Sequence, residues 1–102
     1  MADKVTWLSY DFLVYEQSGG WNDIAGVYIF AGLNQQGLWF PLYVGRTDSF
    51  VNRIPNHERW LEAISIGASH VHAMAESLEA NRVRIENHLI QAYQPPLNVQ
   101  LK

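Results

Sequence analysis

Residues 26–45, GVYIFAGLNQQGLWFPLYVG, contain two strand-like runs separated by a loop. The stretch begins and ends with runs of β-branched and aromatic residues, and LNQQG, a segment rich in Asn, Gln and Gly, separates the two runs. Two such runs on either side of a short loop that contains glycine predict antiparallel strands joined by a hairpin. We therefore expect this hairpin to form the centre of an antiparallel sheet.

The segments that follow the hairpin predict one more strand and two helices. Residues 68–75, ASHVHAMA, are compatible with a third strand of the same sheet. A helix is expected over residues 49–66 with a break near Pro55, which has no N–H to donate, and another over residues 77–93, before Pro95. The predicted fold class is therefore α+β, a small central antiparallel sheet of about three strands flanked by helices.

The whole chain, residues 1–102, is expected to form one domain, because this length is usual for a single hydrophobic core. No linker, repeat or low-complexity segment divides it. Residues 1–22 are predicted to be an N-terminal extension packed on a motif-bearing core of residues 23–98. Within this extension, residues 5–15 are apolar and aromatic, which indicates a strand or a short packed segment.

Composition excludes several kinds of site and partner. The chain has no cysteine, which excludes disulfides and a cysteine-based zinc site. No apolar run approaches the roughly 20 residues that a membrane-spanning helix needs, and the N-terminus lacks the order of a signal peptide. We therefore expect a cytoplasmic protein with no membrane partner. The formal net charge of −3 counts against tight nonspecific binding to nucleic acid.

Positive charge is concentrated locally although the net charge is negative, because three of the seven basic residues fall within residues 41–60: Arg46, Arg53 and Arg59.

The position of Glu86 is also unusual. On the helix predicted over residues 77–93 it falls inside the apolar arc, where an unpaired carboxylate would be costly. Its partner is either Arg82, one helical turn earlier, or a divalent cation.

Several of these residues together resemble the GIY-YIG endonuclease superfamily. Residues 26–28, GVY, are similar to its GIY element, and residues 43–45, YVG, are similar to its YIG element. Arg53 lies eight residues after Gly45 and His57 four residues after Arg53, which is the spacing that the family has on its first helix.

Two further matches lie towards the C-terminus, since Glu86 matches the metal-binding glutamate of the family and Asn98 the asparagine that follows it. The chain also departs from the family pattern. Arg46 follows the YVG element where some relatives have a lysine, and Pro55 interrupts a helix that the family keeps continuous. Arginine cannot replace a lysine that titrates.

The resemblance implies a metal-dependent endonuclease that hydrolyses DNA in repair, recombination or the processing of mobile-element or phage DNA. Glu86 would hold one divalent cation, Mg²⁺ or Mn²⁺, and Arg53 would contact the scissile phosphate. Tyr28 would be the base for water or its relay, with Tyr43 and His57 orienting that water or helping to remove its proton. The implied catalytic residues are Tyr28, Tyr43, Arg53, His57, Glu86 and Asn98, and the implied nucleic-acid-binding residues are Arg46 and Arg59.

We expect this site on the sheet face where both helices converge. The expected partner is DNA, bound weakly or structure-selectively by the chain alone, with a homodimer or a DNA-delivering protein as a further partner. Two alternatives remain open, a nuclease that acts on RNA and a catalytically silent binding module with the same fold. His70 and His72 share one face of a predicted strand, as a two-histidine metal pair or as histidines facing the active site.

Overall fold

The computed structural model describes residues 3–99, so residues 1–2 and 100–102 of the predicted domain lie outside the described part. The strands are β1 (Lys4–Trp7), β2 (Tyr10–Tyr15), β3 (Gly26–Leu33), β4 (Trp39–Thr47) and β5 (His70–Ala75). The helices are α1 (Phe50–Arg53), α2 (Trp60–Ser65), α3 (Glu79–Tyr93) and α4 (Pro96–Val99). The strands form one sheet in the order β1-β2-β5-β3-β4, and every neighbouring pair is antiparallel.

The α+β class is confirmed, but the sheet has five strands rather than about three. The predicted hairpin is β3–β4, and the predicted third strand is β5, which pairs with β3. The two additional strands come from the N-terminal segment, since β2 pairs with β5 and β1 with β2. In so short a segment, periodicity alone does not distinguish a paired strand from a packed one.

Strand β3 is buried on both faces because helices cover it from two sides. Its residues Val27 and Ile29 belong to the same apolar cluster as Ile85 and Leu89 of α3, and we call this side of the sheet the α3 face. Tyr28 and Phe30 point to the other side, which we call the α1–α2 face: Phe50, Ile54 and Ala63 belong to its cluster. The helices at residues 50–65 and 79–93 therefore cover opposite faces, and the expected convergence on one face is wrong.

The first predicted helix is broken where Pro55 predicts the break. Helix α1 has only four residues, and turns separate it from α2. Ser49 caps α1, because its hydroxyl accepts a hydrogen bond from the N–H of Asn52. Helix α2 is followed by Gly67 with φ of 117°, a conformation that favours glycine.

Helix α3 begins at Glu79 rather than at residue 77, and Gln94 ends it in the left-handed conformation with φ of 48°. Pro96 then starts α4, which was not predicted. A proline that cannot continue one helix is well suited to the first position of the next, because its N–H is not needed there. The longest helix has 15 residues, and within residues 3–99 no helix is long and apolar enough to cross a membrane.

Candidate active site

The GVY and YVG elements lie side by side because β3 and β4 pair in register. Tyr28 is opposite Gly45, and Tyr43 is opposite Phe30. A Cβ atom on Gly45 would lie 2.5 Å from the hydroxyl oxygen of Tyr28, so a glycine is required for the Tyr28 ring to cross β4 at this point. The Tyr28 and Tyr43 ring centroids are 6.3 Å apart, and the Tyr28 side chain is fully buried.

His57 joins these aromatic rings from the turn between α1 and α2. Its ring centroid lies 4.8 Å from that of Phe30 and 5.3 Å from that of Tyr43. The Nε2 atom lies 2.7 Å from the hydroxyl oxygen of Tyr28, and the Nδ1 atom accepts a hydrogen bond from the main-chain N–H of Arg59 at 3.0 Å. The break at Pro55 thus brings His57 into the site, where it is buried.

These contacts fix the tautomer of His57. Because Nδ1 accepts a hydrogen bond, the neutral ring carries its proton on Nε2, and this N–H donates to the oxygen of Tyr28. Burial, reinforced by the positive charge of Arg53, lowers the pKa of His57 to about 4. The ring is therefore neutral at pH 7.

Charged residues on both sides of the sheet affect the pKa values of the two tyrosines. Burial raises the pKa of Tyr28 well above its ordinary value, and Tyr43 and Glu86 add to this rise, whereas Arg53 opposes it. Burial likewise raises the pKa of Tyr43, with the same opposing effects of Arg53 and Glu86. Arg53 and Glu86 therefore act on the same hydroxyls, although their helices cover opposite faces.

Arg53 forms a bidentate ion pair with Glu58, with N–O distances of 2.7 and 2.9 Å. The hydrogen bonds of this pair raise the pKa of Arg53 and lower the pKa of Glu58 to about 2. Sequence reasoning missed Glu58, because the helix break lets residues five apart meet, whereas an unbroken helix brings together residues three or four apart. A guanidinium has five N–H groups, so donors remain for a phosphate.

Glu86 pairs with Arg46 of β4 rather than with Arg82. Arg82 instead donates from Nη1 to the main-chain carbonyls of Glu76 and Ser77, at 2.9 and 3.0 Å. The Glu86 side chain is only 14% exposed but that of Arg46 is 42% exposed, so Arg46 covers the carboxylate from the solvent side.

The surroundings of Glu86 suit a single hard cation. Carboxylate oxygen is a preferred ligand of Mg²⁺, which usually keeps several waters and binds through one or two carboxylates plus substrate oxygens. Among residues 3–99, no three His, Asp or Glu side chains gather into an all-protein metal site. Glu86 would therefore be the protein ligand, with water and substrate supplying the others.

Arg59 reaches the site by lying over Tyr43. Its guanidinium carbon is 5.7 Å from the centre of the Tyr43 ring, within cation–π range, and its Nε donates to Glu62 at 2.9 Å. The Arg59 side chain is only 20% exposed. Arg59 thus packs against the site while adding positive charge to it, and Arg46 adds charge from β4.

Asn98 is held against the outer edge of β4. Its side-chain oxygen accepts a hydrogen bond from the N–H of Val44 at 2.7 Å, and its amide nitrogen donates to the carbonyl of Val44 at 2.9 Å. Both polar main-chain groups of Val44 are therefore satisfied by one side chain, which takes the place of a neighbouring strand. Asn98 fixes the backbone between Tyr43 and Gly45.

His70 and His72 lie outside this site. Their rings contact Trp39, with centroids 5.3 and 4.5 Å away, and His72 belongs to the α3 face because it pairs with Ile29. The Nδ1 atom of His72 accepts a hydrogen bond from the indole N–H of Trp7 at 2.9 Å. The expectation that a histidine of this strand faces the active site is therefore wrong, and no third ligand accompanies the pair among the described residues.

Solved structures similar to this chain are those of the GIY-YIG N-terminal endonuclease domain of UvrC from Thermotoga maritima. The magnesium-bound domain is 25% identical with a TM-score of 0.62, and the match covers 78% of this chain and 88% of that one. Two point mutants bound to the catalytic divalent cation are 26% and 24% identical, with TM-scores of 0.61 and 0.63 and the same coverage. No protein-family model and no curated protein matches this chain.

Proposed function

We propose, on the premise that this chain is by fold a member of the GIY-YIG endonuclease superfamily, that it is a metal-dependent endonuclease acting on DNA. One observation carries the proposal. The buried hydroxyl of Tyr28 accepts a hydrogen bond from His57 and lies within the electrostatic influence of both Arg53 and Glu86. This arrangement supports Tyr28 as the proton acceptor, Arg53 as the phosphate ligand and Glu86 as the metal ligand.

Tyr28 is the proposed proton acceptor. A water oxygen forms the new bond to phosphorus, its proton passes to the phenolate oxygen of Tyr28, and the bond to the leaving oxygen breaks, with bulk water protonating that oxygen. His57 cannot take the proton, because Nε2 already carries one and the N–H of Arg59 occupies Nδ1. The N–H of His57 instead stabilises the phenolate by donating to it.

Arg53 is the proposed phosphate ligand on the α1–α2 face. Glu58 orients its guanidinium through two hydrogen bonds, so the remaining N–H groups are held in a fixed plane. Donors that are already oriented stabilise charge developing on phosphate oxygens without reorganising during the reaction. Arg53 also counteracts the raised pKa of Tyr28.

Glu86 is the proposed metal ligand. When bound, a divalent cation polarises the phosphate and stabilises the charge of the leaving oxygen. Arg46 balances the charge of the Glu86 carboxylate, and with a cation bound there it would be available as a donor to the DNA backbone.

The negative charge of the rest of the chain limits its affinity for DNA. The net charge is −3, and the arginines that reach the site are Arg46, Arg53 and Arg59. Few phosphates can be neutralised by three cations, and affinity for the DNA backbone depends on that number. We therefore propose weak or structure-selective binding by the chain alone, and a homodimer or a DNA-delivering protein for efficient cleavage.

The experiment that tests the function is cleavage of supercoiled plasmid and of branched or flapped DNA with Mg²⁺, Mn²⁺ or EDTA. Nicking is expected with either metal and not with EDTA. Glu86→Gln should reduce it by on the order of 100-fold. Glu79→Gln removes the same charge from an exposed position of the same helix and should leave the rate nearly unchanged.

Other outcomes would overturn the proposal. Equal cleavage by wild type and Glu86→Gln would remove Glu86 as the metal ligand. Cleavage of RNA but not of DNA would reassign the substrate. Binding of DNA with no cleavage of any substrate would favour the catalytically silent module.

A further inference from the structure

The loop between β2 and β3, residues 16–25, contacts the first turn of α1. The main-chain carbonyl of Ile24 accepts a hydrogen bond from the N–H of Phe50 at 2.9 Å, and that of Asn22 accepts one from the N–H of Val51 at 3.1 Å. The first N–H groups of a helix have no partner within the helix. The β2–β3 loop supplies two of those partners, so it fixes where α1 begins.

Gln17 of the same loop contacts the other end of α1. Its amide nitrogen donates to the carbonyl of Ile54 at 3.0 Å and to that of Pro55 at 3.1 Å. Both partners are acceptors, so the nitrogen of the amide must face them. These two carbonyls belong to the turn that separates Arg53 from His57.

Trp21 ties the two ends of the loop to each other. Its indole N–H donates to the carbonyl of Gln17 at 2.8 Å, and its ring centroid lies 5.7 Å from that of Phe50, the first residue of α1. The loop therefore holds both ends of a helix of only four residues. A helix this short does not form without outside contacts.

The loop also borders a cavity beside the packed ring of Trp21, whose centroid lies 5.1 Å from that of Tyr15 in β2. This cavity of about 450 Å³ is lined by residues of the loop, β2 and β5 and by none of the proposed catalytic residues. Its apolar lining is formed by Leu13, Tyr15, Trp21, Ile24, Phe50 and Met74. Hydrogen bonds therefore contribute to the position of the loop together with the packing of Trp21.

We infer that Gln17 is a positioning residue that sets the turn carrying Arg53 and His57. It touches neither substrate nor metal and acts through the carbonyls of Ile54 and Pro55. The inference rests on the proposed function for its effect on cleavage, but the placement of His57 is a property of the fold and can be measured separately.

The test uses Gln17→Met, which keeps the length of the side chain and has no N–H, and Gln17→Lys, which restores a donor. Under saturating DNA, kcat should fall by on the order of 10-fold in Gln17→Met with little change in KM, because misplaced catalytic groups cost rate rather than binding. Gln17→Lys should recover part of that loss. Gln35→Met, in the exposed β3–β4 loop, is the matched control and should resemble wild type.

NMR provides a readout that does not require cleavage. Gln17→Met should shift the ring nitrogen signals of His57 and the amide signal of Arg59, and Gln35→Met should not. Unchanged signals together with wild-type kcat in Gln17→Met would overturn the inference. If wild type cleaves nothing but the signals shift as expected, the positioning role stands and only the proposed function fails.

Discussion

The Nε2 atom of His57 lies 2.7 Å from the hydroxyl oxygen of Tyr28, and this N–H is the donor because Nδ1 is occupied by the N–H of Arg59. The direction of this hydrogen bond separates the roles of the two residues. His57 stabilises negative charge on the Tyr28 oxygen, and the proton of the tyrosine is not bound to His57. Base chemistry is therefore expected at Tyr28.

The rate of cleavage is expected to rise with pH across the neutral range. The reaction needs deprotonated Tyr28, whose pKa is raised by burial, so the logarithm of the single-turnover rate should increase by about one per pH unit from pH 6 to 9. His57, with a pKa of about 4, contributes no transition in this range. A plateau reached through an apparent pKa near the ordinary histidine value of about 6.5 would contradict the assignment.

Glu58→Gln is expected to change binding and catalysis in opposite directions. Removing a carboxylate beside the phosphate site should tighten DNA binding by about 2- to 5-fold at low salt, since a repulsive charge is lost. The kcat value should fall, because Arg53 loses its bidentate partner. Binding is measured by fluorescence anisotropy in EDTA and cleavage at saturating DNA. Glu16→Gln, exposed and outside the site, is the charge-matched control, and identical effects of both variants would contradict the role of Glu58.

Asn98→Ala is expected to lower the free energy of unfolding by about 1–3 kcal/mol, because it leaves both main-chain groups of Val44 without their partner. Cleavage should fall as well, since Val44 lies between Tyr43 and Gly45. Urea unfolding measures the first effect. Asn87→Ala, at an exposed position of α3, should change stability by less than about 0.5 kcal/mol. Equal stability of the two variants would contradict the bracing of β4 by Asn98.

Stability is expected to fall as the pH decreases from about 6.5 to 4. Burial lowers the pKa of both His57 and His72 to about 4, so in this window the unfolded chain binds protons that the folded chain does not. The stability that the two neutral histidines contribute is fully present above the pKa of histidine in the unfolded chain, and it is lost as the pH falls towards their pKa in the folded chain. Each histidine accounts for at most about 1.4 kcal/mol per pH unit.

His72→Gln tests this, because glutamine still accepts the N–H of Trp7 but does not titrate. The change of the urea midpoint with pH should be about half as steep in the variant. A wild-type midpoint that stays constant from pH 7 to 5 would contradict the expectation.

Local patterns were sufficient to predict the β3–β4 hairpin, β5 and the break at Pro55, because strand composition, turn residues and the missing N–H act over a few residues. The contribution of β1 and β2 to the sheet was harder to predict. Strand β2 pairs with β5, more than 50 residues away along the chain, and such pairing is decided by tertiary contacts. Helix α4 is a single turn started by Pro96, too short to leave a periodic pattern.

The same distinction applies to the candidate site. The order and spacing of Tyr28, Tyr43 and Arg53 could be read from the sequence, but the ion-pair partners of Arg53 and Glu86 could not. Arg82 was a reasonable partner for Glu86 because a helix places residues four apart on one face. The observed partner, Arg46, is 40 residues away along the chain, and it reaches Glu86 because β4 lies beside α3.

The role of Tyr28 as proton acceptor is tested by single-turnover DNA cleavage by Tyr28→Phe compared with Tyr15→Phe, with binding measured in parallel. Phenylalanine keeps the buried ring of Tyr28 and removes only the oxygen that accepts the proton. We predict that Tyr28→Phe binds DNA like wild type and cleaves it more slowly by on the order of 100-fold. Tyr15→Phe, at an exposed position of β2, should cleave at the wild-type rate. Cleavage by Tyr28→Phe at the wild-type rate would contradict the account.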